Sequence, residues 1–320
     1  MTGCFSFNPV SSYHRASARR CCNAAKCRSS EANHWHAAAV IDKERPYYAA
    51  NPYWTAQDKV LTKAMGLFSR FRKSEVPLNV ARSVPDGMLI YAIGDIHGRD
   101  DLFAQLLDQI DADRRARPSA RCVLILLGDL VDRGPDSDKV VERALGLADR
   151  FDRVHHLIGN HEECMLAALT GDVRALRYFY RIGGDATVRS YIGDDEALAQ
   201  HTFEELAEIF PRSVPQAHVD FLGRGEDMVL YGDYAFVHAG VRPGVSLDRQ
   251  KTSDLRWIRD DFLCDSSDHG PLVVHGHTIS ETVDLTSNRI GIDTGAYASG
   301  CLTALVLNGR EQRFLSTKAG

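Results

Sequence analysis

From residue 88 to 160 the apolar positions follow two periods in turn. Continuous apolar runs at Met88–Ile93, Cys122–Leu127 and Val154–Ile158 each end in a polar turn that contains glycine. That is the pattern of strands buried on both faces. Between them, Asp101–Arg115 and Ser137–Arg150 carry apolar residues at helical spacing, which predicts amphipathic helices and an α/β fold with a partly parallel sheet. Glu162–Leu222 reads as a helical insert. Its segments are Met165–Leu169, Val173–Tyr180, Phe203–Phe210 and Gln216–Leu222, broken by Gly183-Gly184, Pro211 and Pro215. Beyond it the pattern turns β-rich. Met228–Tyr231 and Tyr234–Val237 flank a Gly-Asp turn, Leu272–Val274 follows, and Val283–Thr286 and Arg289–Ile292 flank Ser-Asn. Leu302–Leu307 then runs into Asn308-Gly309, a hairpin signal.

The first 64 residues keep neither period. They hold nine Lys/Arg against four Asp/Glu, so a segment of +5 precedes a remainder of −10. We read residues 1–64 as a leader outside the folded domain, with a natural start at Met65. Residues 65–87 read as an arm and linker, and 88–316 as the domain. Four of the eight cysteines (Cys4, Cys21, Cys22, Cys27) lie in the leader, without the paired Cys-x-x-Cys knuckle of a zinc site. The other four are scattered singly, a usage that points to a reducing, cytoplasmic setting. Cys122 and Cys301 read as small core residues. No apolar run approaches the ~20 residues of a membrane span. The acidic body disfavours a stable nucleic-acid complex, and a monomer is the expectation because no coiled coil or partner helix stands out.

The chemistry collects where the apolar runs stop. The first ends in Gly94-Asp95-Ile96-His97-Gly98, the second in Gly128-Asp129-Leu130-Val131-Asp132-Arg133-Gly134, and the third in Gly159-Asn160-His161-Glu162. Later come His238-Ala239-Gly240 and His275-Gly276-His277-Thr278. In open α/β sheets the carboxyl ends of strands face one crevice, so these side chains can converge. Asp95, His97, Asp129, Asn160, His238 and His277 would offer mixed oxygen and imidazole donors with no cysteine. Such a set suits catalytic Mn, Fe or Zn. Six protein ligands are too many for one ion with an open position, so two ions sharing Asp129 are expected.

The three glycine-flanked blocks, in this order and spacing, resemble the calcineurin-like metallophosphoesterases. Within them they resemble the phosphoprotein phosphatases and symmetrical diadenosine tetraphosphatases, over about Met88 to Leu307. The resemblance implies a four-layer α/β/β/α sandwich and two divalent cations, manganese above iron or zinc. It implies that Asp95 and His97 bind the first ion, Asp129 bridges, and Asn160, His238 and His277 bind the second. His161 would be the general acid, with Asp132 orienting it and raising its pKa. Arg133 would clamp phosphate, with Arg259 of Trp257-Ile258-Arg259 as a second clamp. Where many relatives have a second histidine after Gly-His-x, this chain has Ile279, which fits the phosphoprotein phosphatase branch.

Gly183-Gly184-x-x-Thr187-x-x-Ser190-Tyr191 resembles bacterial serine/threonine phosphatases, so a phosphoprotein is the first substrate expectation. A symmetrical diadenosine tetraphosphate is the alternative, with Arg174, Arg177, Arg181 and Arg189 of the insert either binding polyphosphate or lying on a solvated helix face. A non-catalytic phosphopeptide scaffold is the remote reading. Among the other histidines, His275 reads as a structural neighbour of the centre and one of His155 and His156 as a core histidine. His201, His218 and His269 read as surface residues. Tyr297 lines the cleft or packs.

Overall fold

A computed structural model describes residues 82–317 apart from 119 and 194. The leader, the start at Met65 and most of the arm lie outside the described residues. The three apolar runs form β1 (Met88–Ile93), β2 (Arg121–Leu126) and β3 (Arg153–His156), paired in parallel. The Asn308-Gly309 signal is a hairpin joining β9 (Thr303–Asn308) to β10 (Glu311–Ser316), which extends this sheet in the order β10-β9-β1-β2-β3. A second sheet has the order β4-β5-β6-β8-β7, from β4 (Met228–Tyr231), β5 (Tyr234–Val237), β6 (Leu272–His275), β7 (Asp284–Leu285) and β8 (Arg289–Gly291).

Side-chain alternation builds the layers. Leu89, Tyr91 and Ile93 of β1 join Leu124 and Leu126 of β2 in one core, with Phe103, Leu106 and Ile110 of α1 (Asp100–Arg115) and Val140 and Val141 of α2 (Ser137–Leu145). The opposite faces, Ile90, Ala92, Val123 and Ile125, pack on Tyr234, Phe236, Leu272, Val274 and Ile290 of the second sheet. Val237 and Val273 point outward onto Leu255 and Phe262 in the short helices α9 (Thr252–Trp257) and α10 (Asp260–Leu263). The result is helix, sheet, sheet, helix, the expected α/β sandwich, held by the period-two geometry of strands buried on both faces.

The insert contains α3 (Asn160–Ala168), α4 (Val173–Phe179), α5 (Asp185–Ile192), α6 (Asp195–Ala199), α7 (Phe203–Ser213) and α8 (Gln216–Gly223). The expected break at Gly183-Gly184 is a kink between α4 and α5, with Gly183 in non-helical backbone at φ 110°. The break expected at Pro211 is absent. Pro211 lies inside α7, near enough to its end that one lost backbone hydrogen bond is tolerated. The second predicted helix ends early, because Gly146 closes α2 and a 3₁₀ turn covers Gly146–Asp149. Among the described residues no helix is long and apolar enough to cross a membrane.

Candidate metal centre

The loops after the strands are zipped together by backbone hydrogen bonds. Ile96 and His97 N–H both donate to Asp129 O (3.1 and 2.9 Å), and Gly98 N–H donates to Leu130 O (2.8 Å). Among the described residues the non-glycine positions at positive φ are His97, Asp129, Asp132, Arg133 and His277, at 47° to 76°. All five belong to the sequence-derived site. Left-handed backbone costs on the order of 1 kcal/mol or more per non-glycine residue, so the fold concentrates its strain where the side chains converge. Gly159 and Gly276 let them approach. A Cβ at Gly159 would stand 2.1 Å from Asp129 Oδ1, and one at Gly276 would stand 2.0 Å from Asp95 Oδ1.

All six expected ligands are buried, none more than 5% exposed. Asp129 lies at their middle. Its Oδ2 is 3.7 Å from His97 Nε2 and 3.8 Å from His161 Nε2, and its Oδ1 is 3.4 Å from His238 Nε2. His238 Nε2 is in turn 3.1 Å from Asn160 Oδ1 and 3.2 Å from His277 Nδ1. Two donor groups emerge, His97–Asp129–His161 and Asp129–His238–His277, sharing Asp129. Asp95 accepts His277 N–H at 3.0 Å.

The imidazoles are oriented from behind. His97 Nδ1–H donates to Val131 O and His238 Nδ1–H to Leu127 O, both at 2.8 Å. Each ring is thereby left with an Nε2 lone pair facing inward, the tautomer a metal ligand needs. His277 Nε2 is buried without a partner. Burial holds His97 and His277 well below the usual imidazole range, with Arg133 and Arg259 adding to the effect respectively, and holds His238 at about 4. Burial also pushes Asp129 up to about 7 against the pull of Arg133, and pushes Asp95 well up, helped by Asp293 and Asp129. Neutral imidazoles beside crowded buried carboxylates form a donor set that a divalent cation would relieve. The residues present therefore fit two such ions.

Around this set lie the expected catalytic groups. His161 Nδ1–H donates to Asp132 Oδ2 at 2.5 Å, and both are buried. Thr187 Oγ1–H donates to Asp132 Oδ1 at 2.6 Å. Asp132 accepts the His161 ring proton, yet the net shift of His161 is downward. Burial and then the Arg133 guanidinium hold His161 well below its ordinary value, while burial pushes Asp132 up. Desolvation of the imidazolium outweighs the carboxylate because that carboxylate is itself desolvated. Arg133 Nη1 donates to His97 Nε2 (2.7 Å) and Nη2 to His161 Nε2 (3.0 Å). Its backbone N–H donates to Gly183 O at 2.9 Å. Arg259 is exposed, and its guanidinium lies within electrostatic reach of Arg133, Asp129, Asp293 and Asp95.

Three residues of the site are not singled out by the sequence pattern. Glu162 accepts the backbone N–H groups of Asp129 and Gly159 at Oε2 (2.7 and 2.8 Å) and of Leu130 at Oε1 (2.7 Å). It thus cages the loop that presents Asp129. Thr187 stands out in the sequence only as one member of the Gly183-Gly184 stretch. Asp293 is buried, accepts Gly295 N–H at 2.9 Å, and follows β8 in Asp293-Thr294-Gly295. That repeats the strand-end carboxylate and glycine, a signal that could have found it. Tyr297 lines the cleft. Its ring meets His97 edge-on at 5.6 Å and the Arg133 guanidinium at 4.9 Å.

Other expectations need correction. His218 is 4% exposed, bonded to Tyr191 Oη (2.8 Å) and Glu142 (2.9 Å). The side chain of His269 is 5% exposed against Phe262. His218 is not a surface residue, because it bridges elements distant in sequence, and His269 is half-buried as a residue against its near neighbours. His201 is exposed, as expected. His155 bonds Glu226 (2.6 Å) and Tyr231 (2.9 Å), whereas His156 is the core histidine, stacked on Phe221. His275 turns its Nδ1 to Gly276 O, apart from the ligand groups. Cys122 is buried, but Cys301 is only half-buried.

A model of the calcineurin-like phosphoesterase family matches residues 88–296. The chain is 33% identical over 156 residues to a symmetrical bis(5'-nucleosyl)-tetraphosphatase of Delftia acidovorans, covering 49% of this chain and 46% of that protein. The match thus spans about half the length of that relative. A symmetrical bis(5'-nucleosyl)-tetraphosphatase of Nitrosomonas europaea is 27% identical over 271 residues, covering 70% of this chain and 97% of the relative. A crystal structure provisionally assigned as a diadenosine tetraphosphatase superposes with a TM-score of 0.50 at 22% identity, covering 75% of this chain and 100% of that one, a likeness of fold alone. The strand-end ligands, the two stacked sheets and the match across both place this chain in the calcineurin-like phosphoesterase family.

Proposed function

We propose that the chain hydrolyses phosphoric esters at a two-cation centre. Asp95, His97 and Asp129 would hold one ion, and Asp129, Asn160, His238 and His277 the other. The observation that carries this is Asp129, whose two carboxylate oxygens face different imidazoles, His97 and His161 on one side and His238 on the other. When bound, such cations polarise the phosphoryl group and lower the pKa of water. Arg133 and Arg259 supply fixed positive charge for the phosphoryl oxygens. His161 presents Nε2 to the centre and, after taking up a proton from solvent at that nitrogen, would deliver it to the leaving oxygen and return to the neutral ring, while Asp132 takes its Nδ1–H and balances the charge of the doubly protonated form.

For the substrate, a phosphate monoester on a serine or threonine side chain is our first reading, supported by the likeness of the Gly183-Gly184-x-x-Thr187-x-x-Ser190-Tyr191 stretch to bacterial serine/threonine phosphatases. A tetraphosphate needs a track of positive charge. Of Arg174, Arg177, Arg181 and Arg189 in the insert, Arg177 pairs with Glu204 (3.2 Å) and Arg189 with Asp185 (2.9 Å) and Asp195, whereas Arg133 and Arg259 would together clamp one phosphate. The second reading, a symmetrical dinucleoside tetraphosphate, is favoured by the names of the Delftia and Nitrosomonas relatives. With Mn²⁺ supplied, rates on a phosphoserine peptide and on diadenosine tetraphosphate separate the two, since dominant ADP release selects the second. Asp129→Asn is expected to abolish both activities while circular dichroism stays unchanged. Unaltered turnover of p-nitrophenyl phosphate by this variant refutes the site, and no turnover by the parent chain favours a phosphopeptide-binding scaffold.

A further inference from the structure

Two adjacent acids on α3 divide their work. Glu162 is spent on the backbone amides around Asp129. Glu163, about 100° further round the helix, faces the other way and is 7% exposed. Its Oε2 accepts the indole Nε1–H of Trp257 at 3.2 Å and Nη1–H of Arg256 at 3.3 Å. Arg256 also pairs with Asp227 through Nε (2.8 Å) and Nη2 (2.7 Å), and Asp227 accepts the hydroxyl of Thr252 at 2.9 Å. Helix α9 is therefore pinned at its first residue and at its last two.

The pinned end matters because Arg259 follows Trp257 by two residues. Trp257 is 3% exposed and belongs to the core between the first sheet and its helices. Ile258 N–H still bonds back to Asp254 O (3.1 Å), and Arg259 O already accepts Phe262 and Leu263 N–H at 2.9 Å each. The short step between α9 and α10 leaves the Arg259 backbone little independent freedom. Any swivel of α9 would be passed to its guanidinium. Glu163, in turn, sits two residues past His161 on the helix that also presents Asn160.

We propose that Glu163 is a positioning residue for Arg259, locking the second phosphate clamp to the helix that carries Asn160 and His161. This rests on the phosphoesterase reading above. A merely structural Glu163 would lower stability without acting through Arg259, and a double-mutant cycle separates the two roles.

The test uses the full chain loaded with Mn²⁺. It measures the dissociation constant of inorganic phosphate by calorimetry, and kcat and KM for p-nitrophenyl phosphate, in E163A, E163Q, R259A and E163A/R259A. Loss of a buried charge-assisted contact sets the scale at about tenfold. E163A is expected to weaken phosphate binding by about that factor and to raise KM more than it lowers kcat. E163Q, which keeps an acceptor oxygen, is expected to recover most of the loss. In the R259A background E163A should add nothing. If E163A fails to fold, Trp257→Phe removes only the indole N–H and should weaken phosphate binding in the same direction. An equal loss in both backgrounds, or a lowered Tm with unchanged phosphate affinity, overturns the role. A parent chain that binds no phosphate overturns the phosphoesterase reading, and this role with it.

Discussion

His156 has both ring nitrogens buried without a partner, and its ring stacks on Phe221 with centroids 4.6 Å apart. An orphan imidazole in the core must stay neutral, and burial holds its pKa at about 4 against an ordinary 6.5. The sign follows from proton counting. Between those two pH values the unfolded chain binds a proton that the folded chain refuses, so stability falls as pH falls through the window. Above 6.5 the residue contributes no slope. His156→Phe should keep the stack and remove this term. Urea unfolding at pH 7 and pH 4.5 is expected to show a smaller acid loss in the variant, by on the order of 2 kcal/mol. An identical acid loss in the two proteins would disprove the account. Buried His161 is also held neutral, but its Nδ1 has the Asp132 carboxylate as partner, so burial is the shared cause and the partner is the difference.

At the scale of elements, the helical insert does more than wall the cleft. The kink between α4 and α5 and the first turn of α5 reach the loop of Asp132 and Arg133 twice, through Gly183 O to Arg133 N–H and through the Thr187 hydroxyl to Asp132. Gly183 is required there for two independent reasons. Its φ of 110° is open to glycine almost alone, and an added Cβ would stand 2.8 Å from Arg133 Cγ. Gly183→Ala is expected to lower stability by about 1–3 kcal/mol and to push Arg133 off its position. Thermal melts together with KM for p-nitrophenyl phosphate check both effects, and a variant with normal Tm and normal KM would show that the insert does not position the clamp. The Gly183-Gly184 pair predicts a helix break, and the chain does kink at Gly183. What the structure adds is a contact, because the kink presents the Gly183 carbonyl to the Arg133 N–H.

At the scale of the whole molecule, the candidate ligands come from both sheets. Asp95, His97, Asp129 and Asn160 follow β1, β2 and β3 of the first sheet, and His238 and His277 follow β5 and β6 of the second. Cations held between them would staple the two layers at one end of the sandwich. Ligands that bind only the folded state stabilise it by mass action, about 2.7 kcal/mol at a hundredfold excess over Kd. Adding Mn²⁺ to chain stripped with EDTA is therefore expected to raise Tm by several degrees, and Asp129→Asn should remove most of that gain. A Tm indifferent to chelation would argue against a centre shared by the two sheets.

The sequence by itself determined most of the elements and which residues make up the candidate site. Continuous apolar runs report burial on both faces locally, and a glycine beside each Asp, Asn or His marks where backbone must turn tightly. Asp95, His97, Asp129, Asn160, His238 and His277 were legible for that reason, and Asp132, Arg133 and His161 through the resemblance that their motifs carry. Asn160 and His161 are legible as strand-end residues, yet only the structure shows that they open helix α3. What the tertiary structure alone decided are interactions between residues far apart in the chain. Glu162 caging the Asp129 loop, Thr187 bonding Asp132 and the burial of His218 have no local periodicity to betray them. The pKa of His161 belongs to the same class. Charge pairing can be guessed from sequence neighbours, but desolvation depends on how much of the molecule closes over the pair, and here burial prevails over the carboxylate.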